Sequence, residues 1–150
     1  MTLLIALAVA GCGDAEPPAL DRLEIRAPDL EITIDRRGNG SFKQSSAGAS
    51  GRFLLSSSDF VALRNRIEPF RRSPETIPES KMLDYVRHGG RCDGNYVTDN
   101  GGISFHWIGP SINQFYIVDY GCDRETHASR NAELRSVLAS LPVPPPISLP

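Results

Sequence analysis

Residues 99–120 read DNGGISFHWIGPSINQFYIVDY and carry the clearest signal of fold class in the chain. The segment 99–102 predicts a hairpin turn, because asparagine and glycine accept the positive φ that tight turns require. Residues 103–108 and 114–120 are rich in β-branched and aromatic side chains, as strands are, and Gly109-Pro110 separates them as a turn. With a short strand over 95–98, we expect three consecutive antiparallel strands in this region.

The first half of the chain shows the same alternation. Residues 23–27 form one short candidate strand, and apolar Leu30, Ile32 and Ile34 alternate with polar neighbours in a second. The glycine-rich turn at 37–40 predicts a return strand over 41–44. Residues 45–51 are small and polar, which favours a loop, and a further strand follows over 52–56.

Two amphipathic helices are expected. One follows the N-capping residues at 57–59, with an apolar stripe of Phe60, Leu63, Ile67 and Phe70, and Pro69 should end or kink it near 66–68. The other runs from Arg130 to Leu141, where leucine and valine recur at helical spacing until Pro142. These elements predict an α+β fold, an antiparallel sheet with two amphipathic helices packed on one face. It would occupy residues 21–142 as a single domain, followed by a proline-rich tail over 143–150.

Composition narrows the class of partner. Of 150 residues, 40% are hydrophobic and 23% are charged, which is ordinary for one folded domain. The formal net charge of −2 gives no basic surface for nucleic acid, so we expect no nucleic-acid partner. No nucleotide-binding glycine loop is present, and we expect no cofactor.

The amino-terminal residues predict export. Residues 3–10 are an unbroken apolar run, too short to span a bilayer but long enough for a signal-peptide core. The positively charged residue that usually opens a signal peptide is absent, since only Met1 and Thr2 precede the run. The sequence Val9-Ala10-Gly11-Cys12 then resembles the lipobox of bacterial lipoproteins. The alternative is an ordinary secretory signal followed by an unrelated cysteine.

This resemblance implies a processing route. Residues 1–11 would be removed as a signal peptide, Cys12 would be lipidated, and residues 12–20 would tether the domain to the membrane. Since Gly13 rather than aspartate follows Cys12, the resemblance favours the outer membrane, with the domain facing the periplasm. The rest of the chain resembles uncharacterised small bacterial lipoproteins only as a pattern of strands followed by a helix, and it carries no site motif.

The remaining cysteines form a natural pair. If Cys12 is lipidated, an oxidising periplasm favours a disulfide between Cys92 and Cys122. Closing a loop of about 30 residues stabilises a domain by roughly 3.5 kcal/mol in the chain-entropy model. The alternative is a zinc site built from both cysteines with His88 and His127, although the spacings match no standard finger. We therefore expect no metal.

No catalytic motif stands out. The chain lacks a Gly-x-Ser-x-Gly elbow and the spacing of an EF-hand loop. We therefore expect a non-catalytic binding or structural domain whose partner is an envelope component, and no enzyme. The alternative is a small periplasmic hydrolase that uses His106 or His127 with an acidic residue.

Aromatic residues offer a candidate binding surface. Six of them lie between Tyr96 and Tyr120, where most should pack in the core. If Trp107, Tyr116 and Tyr120 share the outer face of the sheet, they would form a recognition patch.

Overall fold

The computed structural model describes residues 18–88, 90 and 92–146. It contains a seven-stranded antiparallel sheet and helices, so the expected α+β class is confirmed. The expected signal peptide, the expected lipidation site Cys12 and the last four residues of the tail lie outside the described residues. The strands are β1 (Arg22–Ala27), β2 (Leu30–Asp35), β3 (Asn39–Gln44), β4 (Ala49–Leu54), β5 (Ile77–Pro78), β6 (Gly102–Gly109) and β7 (Ile112–Asp119).

The strands lie in the order β4-β3-β2-β1-β6-β7-β5, so β1 joins an amino-terminal meander to a carboxy-terminal hairpin. Alternation sets the two faces: Leu23 pairs with Ile34 and Trp107, and Ile25 pairs with Ile32 and Phe105. Because residues opposite each other point to the same side, these side chains share one face, which we call the core face. All six of these residues are at most 3% exposed.

The helices are α1 (Ser57–Arg71), α2 (Met82–His88) and α3 (Ala128–Ala139), with a short 3₁₀ turn at Glu79–Lys81 before α2. Ser56 is the N-cap of helix α1, and its Oγ accepts a hydrogen bond from the Asp59 amide at 3.1 Å. Pro69 lies inside the helix and does not end it as expected. The helix continues because Phe70 packs its ring 5.4 Å from that of Tyr116, which offsets the one backbone hydrogen bond that proline cannot make.

One hydrophobic cluster includes buried residues of α1, of α3 and of the sheet. It contains Phe60, Leu63 and Ile67 from α1 and Leu134, Val137 and Leu138 from α3, together with the inward side chains of β1, β2, β6 and β7. Leu141 lies just beyond the end of α3 and is buried too. The predicted apolar stripe of the last helix is therefore the buried one.

The expected patch of Trp107, Tyr116 and Tyr120 is wrong, because none of the three is more than 6% exposed. Trp107 follows Phe105 by two residues in β6, and Tyr116 stands opposite Phe105 in β7. A period of two puts Trp107 and Tyr116 on the core face, and Tyr120 is buried just beyond the end of β7. Their ring area stabilises the core and is not available to a partner.

The prediction of a hairpin across residues 99–102 is also wrong. Asp99 and Gly101 do adopt positive φ, as turn residues should, but the preceding segment makes a single bridge between Tyr96 and Cys122. The strand β6 pairs instead with β1 and, through the Gly109–Ile112 turn, with β7. The disulfide between Cys92 and Cys122 fastens the irregular segment to the end of β7, as the sequence predicted.

Part of the tail packs on the domain. Val143 contacts the core cluster, and the buried side chain of Gln44 donates from Nε2 to the Pro145 carbonyl at 2.9 Å. None of the helices in the described part of the chain has the length and apolar composition needed to span a membrane.

Candidate functional site

The sheet has a second face, opposite the core face, that carries polar and apolar side chains together. Alternation places Glu24 and Arg26 of β1, Ser104 and His106 of β6, and Phe115 and Ile117 of β7 on it. We call these residues the second face. They line a groove of about 420 Å³, and Met82 at the start of α2 borders it.

His106 is the most strongly held side chain of the second face. Its Nδ1 lies 3.2 Å from Oε2 of Glu24, and its Nε2 lies 2.8 Å from Oδ1 of Asn113. The imidazole stacks on the Phe115 ring with centroids 3.7 Å apart and planes inclined by 16°. Glu24 is itself held by Arg22, whose Nε lies 3.0 Å from Oε1. Only 18% of the His106 side chain is exposed, so the ring has a fixed position beside the groove.

These contacts limit the chemistry of His106. A general base needs a ring nitrogen that can receive a proton from a substrate or water. Here Oε2 of Glu24 lies beside one nitrogen and Oδ1 of Asn113 lies beside the other; because both oxygens are acceptors, a neutral ring with one N–H donates to only one of them at a time. The arrangement is suited to recognition, because it presents a flat ring pair, a cation at Arg26 and a hydroxyl at Ser104.

The other histidine candidate lies in a separate cleft of about 510 Å³ beside the disulfide. His127 precedes α3, and its backbone amide donates to the Asp123 carbonyl at 3.0 Å. Asp119 in this cleft is already engaged, since it accepts hydrogen bonds from the Tyr96 hydroxyl at 3.0 Å and from the Gly121 amide at 2.7 Å. The structure therefore brings His127 near acidic residues without forming a hydrogen-bonded pair with them.

The alternative of a zinc site lacks free thiols to act as ligands. Cys92 and Cys122 are bonded to each other, and His88 contacts Asp84 at 3.1 Å on the exposed surface of α2. Among residues 18–88, 90 and 92–146 there is no group of three or more potential metal ligands.

The two buried tyrosines have raised pKa values. Burial raises the pKa of Tyr116 to about 12, with a contribution from Glu75, and burial likewise raises the pKa of Tyr120 to about 12. Both phenols therefore stay protonated at neutral pH. The Tyr120 hydroxyl is buried and has no hydrogen-bond partner among the described residues, while the Arg135 guanidinium lies 4.2 Å from the centre of its ring.

Sequence reasoning named His106 but missed Glu24, Asn113, Phe115 and Arg26. Alternation in β6 places His106 on the face of the sheet away from Phe105 and Trp107. The same period in β7 places Asn113, Phe115 and Ile117 on one face. Glu24 lies 82 residues before His106. Only the pairing of β1 with β6 brings them together, and no local pattern reveals that pairing.

Comparison of the chain with protein-family models, with curated proteins and with solved structures gives no match. The functional argument therefore rests on the geometry above.

Proposed function

We propose that this chain is a lipid-anchored protein of the bacterial cell envelope whose domain binds another envelope component without catalysing a reaction. One observation carries the proposal: His106 is fixed by Glu24 and Asn113 and stacked on Phe115, beside a groove on the sheet face away from the core. Holding side chains in one geometry before binding lowers the entropy cost of association.

In this proposal α1 and α3 both pack on the core face, as the sequence predicts for two amphipathic helices. The second face is then left to a partner, with Met82 as one edge of the binding groove. A ligand with a flat or apolar portion would stack over the His106–Phe115 pair, and an acidic group on it would meet Arg26. The weak overall charge agrees with a partner other than nucleic acid.

The anchor would be the acylated Cys12. A single acyl chain binds membranes only marginally, whereas two or three chains anchor durably. Residues 12–20 would span at most about 30 Å when fully extended, which keeps the domain close to the membrane that we propose to be the outer one. Labelling of cells with a radioactive fatty acid should mark the wild-type protein and not Cys12→Ser. Equal labelling of the two would refute the anchor.

The binding surface can be tested in living cells with a photoreactive amino acid. Placed at exposed Arg26 on the second face, it should crosslink to one recurring envelope component, whereas placement at exposed Ser129 on α3 should not. Adding His106→Ala to the Arg26 variant should reduce that crosslink several-fold. Equal crosslinking from both positions, or no effect of His106→Ala, would refute binding through the second face.

The hydrolase alternative has one observation in its favour, the contact between His106 and the carboxylate of Glu24. Against it, Oδ1 of Asn113 lies 2.8 Å from Nε2 and would have to move before a substrate could reach this nitrogen. Turnover of ester or amide substrates by the purified chain, abolished by His106→Ala or His127→Ala, would establish the hydrolase and overturn the binding proposal.

A further inference from the structure

The two edges of the sheet are built differently. At one edge lies β5, which has two residues and includes Pro78, so it offers little backbone for pairing. At the other edge lies β4, which has six residues and pairs only with β3, in a continuous register without a bulge. Proteins commonly protect a free edge with proline, a bulge or several charges, and β4 carries only Arg52.

The hydrogen-bonding pattern shows which groups of β4 point away from the sheet. The Leu55 amide donates to the Gly38 carbonyl at 3.0 Å, and the register of the two strands places these residues opposite each other. In an antiparallel pair, bonded and non-bonded positions alternate. The backbones of Ser50, Arg52 and Leu54 therefore point outward, and Leu54 is 69% exposed.

The charged side chains on β3 and β4 have one sign. The charged residues of β3 and β4 are Lys43 and Arg52, and neither strand contains a carboxylate. Among the described residues Arg52 forms no salt bridge. An acidic strand beside β4 would therefore find opposite charge at its centre.

A groove adjoins the carboxyl end of β4. It has a volume of about 450 Å³, and its lining combines the charged side chains of Asp59 and Arg66 with apolar Leu54, Leu55, Ala62, Leu63 and Leu141. Recognition by strand addition usually combines an exposed edge with a pocket for alternate side chains. An added strand could bond to the outward backbone groups and place an apolar side chain in this groove.

We propose that β4 is a docking edge for an extended, acidic segment of a partner polypeptide, which adds a strand to the sheet antiparallel to β4. A second copy of this chain fits less well, because symmetric antiparallel pairing centred on the edge places Arg52 opposite its own equivalent. The proposal does not rest on the second face, and the two are tested at different residues.

The test measures amide hydrogen exchange by NMR on the full chain, with a short synthetic peptide of alternating valine and glutamate as the probe. At about 1 mM peptide, exchange at Ser50, Arg52 and Leu54 should slow by about tenfold or more, because their amides gain partners. The amides of Gly51 and Phe53, already bonded to β3, should change little. The matched peptide of alternating valine and lysine should have less effect. Absence of slowing with the glutamate peptide, or equal slowing with both, would overturn the proposal.

Two variants separate backbone pairing from charge. Arg52→Pro removes an outward amide while leaving the bonds to β3, so it should abolish the slowing at Ser50 and Leu54. Arg52→Glu keeps every backbone group and should reverse the preference toward the lysine peptide. Retained preference for the glutamate peptide in Arg52→Glu would contradict the charge argument. Slowing that rises with protein concentration in the absence of peptide would assign the edge to a second copy instead.

Discussion

At the scale of single residues, Tyr120 shows how burial and polarity conflict in a small core. Its side chain is 6% exposed, and its hydroxyl has no hydrogen-bond partner among the described residues. A buried hydroxyl without a partner costs free energy, because it gives up its bonds to water. The ring compensates through its packing and through the Arg135 guanidinium 4.2 Å from its centre.

Replacing Tyr120 with phenylalanine tests this balance. The variant keeps the ring and removes the hydroxyl, so its free energy of unfolding should equal that of wild type or exceed it by up to about 1 kcal/mol. Urea unfolding followed by circular dichroism measures the difference. Alkaline titration gives a second readout: a raised Tyr120 pKa stabilises the fold below the ordinary value near 10, and this is lost as pH rises toward 12. Destabilisation of Tyr120→Phe by more than about 1 kcal/mol at neutral pH would mean that the hydroxyl has a partner.

At the scale of elements, the sequence reveals the strands that alternate strongly but predicts only the second half of β4, because the expected strand over 52–56 overlaps Ala49–Leu54 only from residue 52 onward. Residues 45–51 look like a loop because they contain no large apolar side chain. In the structure the Phe42 ring lies over Gly51, where a Cβ would come within 2.6 Å of it, and the Phe53 ring covers Gly40 in the same way. An aromatic ring on one strand thus covers the glycine opposite it on the neighbouring strand. The sequence does not show this packing, because it depends on the register of the two strands.

Helix α3 provides a paired stability prediction. Leu138 is 6% exposed and belongs to the core cluster, so Leu138→Ala should lower the free energy of unfolding by about 2–5 kcal/mol. Arg135 is exposed but stacks on Tyr120, so Arg135→Ala should cost about 0.5–1 kcal/mol, more than a surface residue without contacts. Urea unfolding of both variants checks the contrast. Equal losses would mean that α3 does not present its apolar stripe to the core.

The end of α1 provides a pH-dependent prediction. The Arg71 guanidinium donates to the Glu68 carboxylate, and this hydrogen bond lowers the pKa of Glu68 below its ordinary value of 4.5, with a further contribution from Arg72. A lowered pKa contributes stability above the ordinary value, and that stability is lost as pH falls through the folded pKa.

Glu68→Gln should therefore be less stable than wild type by about 1 kcal/mol at pH 7. The difference should shrink as pH falls below about 4.5, since both side chains are then neutral. Thermal unfolding of the two proteins between pH 3 and 7 measures it. A difference that stays constant over this range would show that the ion pairs with Arg71 and Arg72 do not stabilise the helix end.

At the scale of the whole molecule, the sequence predicts the fold class and the disulfide but not the arrangement of the sheet. Local periodicity depends on each strand alone, whereas the position of β1 between β2 and β6 depends on contacts far apart in sequence. The same reason explains the error over Trp107, Tyr116 and Tyr120. Aromatic content favours a core but does not say which rings enter it; the paired register assigns Trp107 and Tyr116 to the core face, and burial shows that Tyr120 is also inside.

The central claim is that the second face is the surface a partner covers in the envelope. Its most direct test compares maleimide labelling of Ser104→Cys, a residue of the second-face groove, in purified protein and in intact envelope membranes. The native cysteines do not interfere if Cys12 is lipidated, because Cys92 and Cys122 are joined. We predict that labelling of Ser104→Cys is several-fold slower in membranes, while Ser129→Cys on the exposed side of α3 labels equally in both. Equal labelling of Ser104→Cys in the two preparations would contradict the claim.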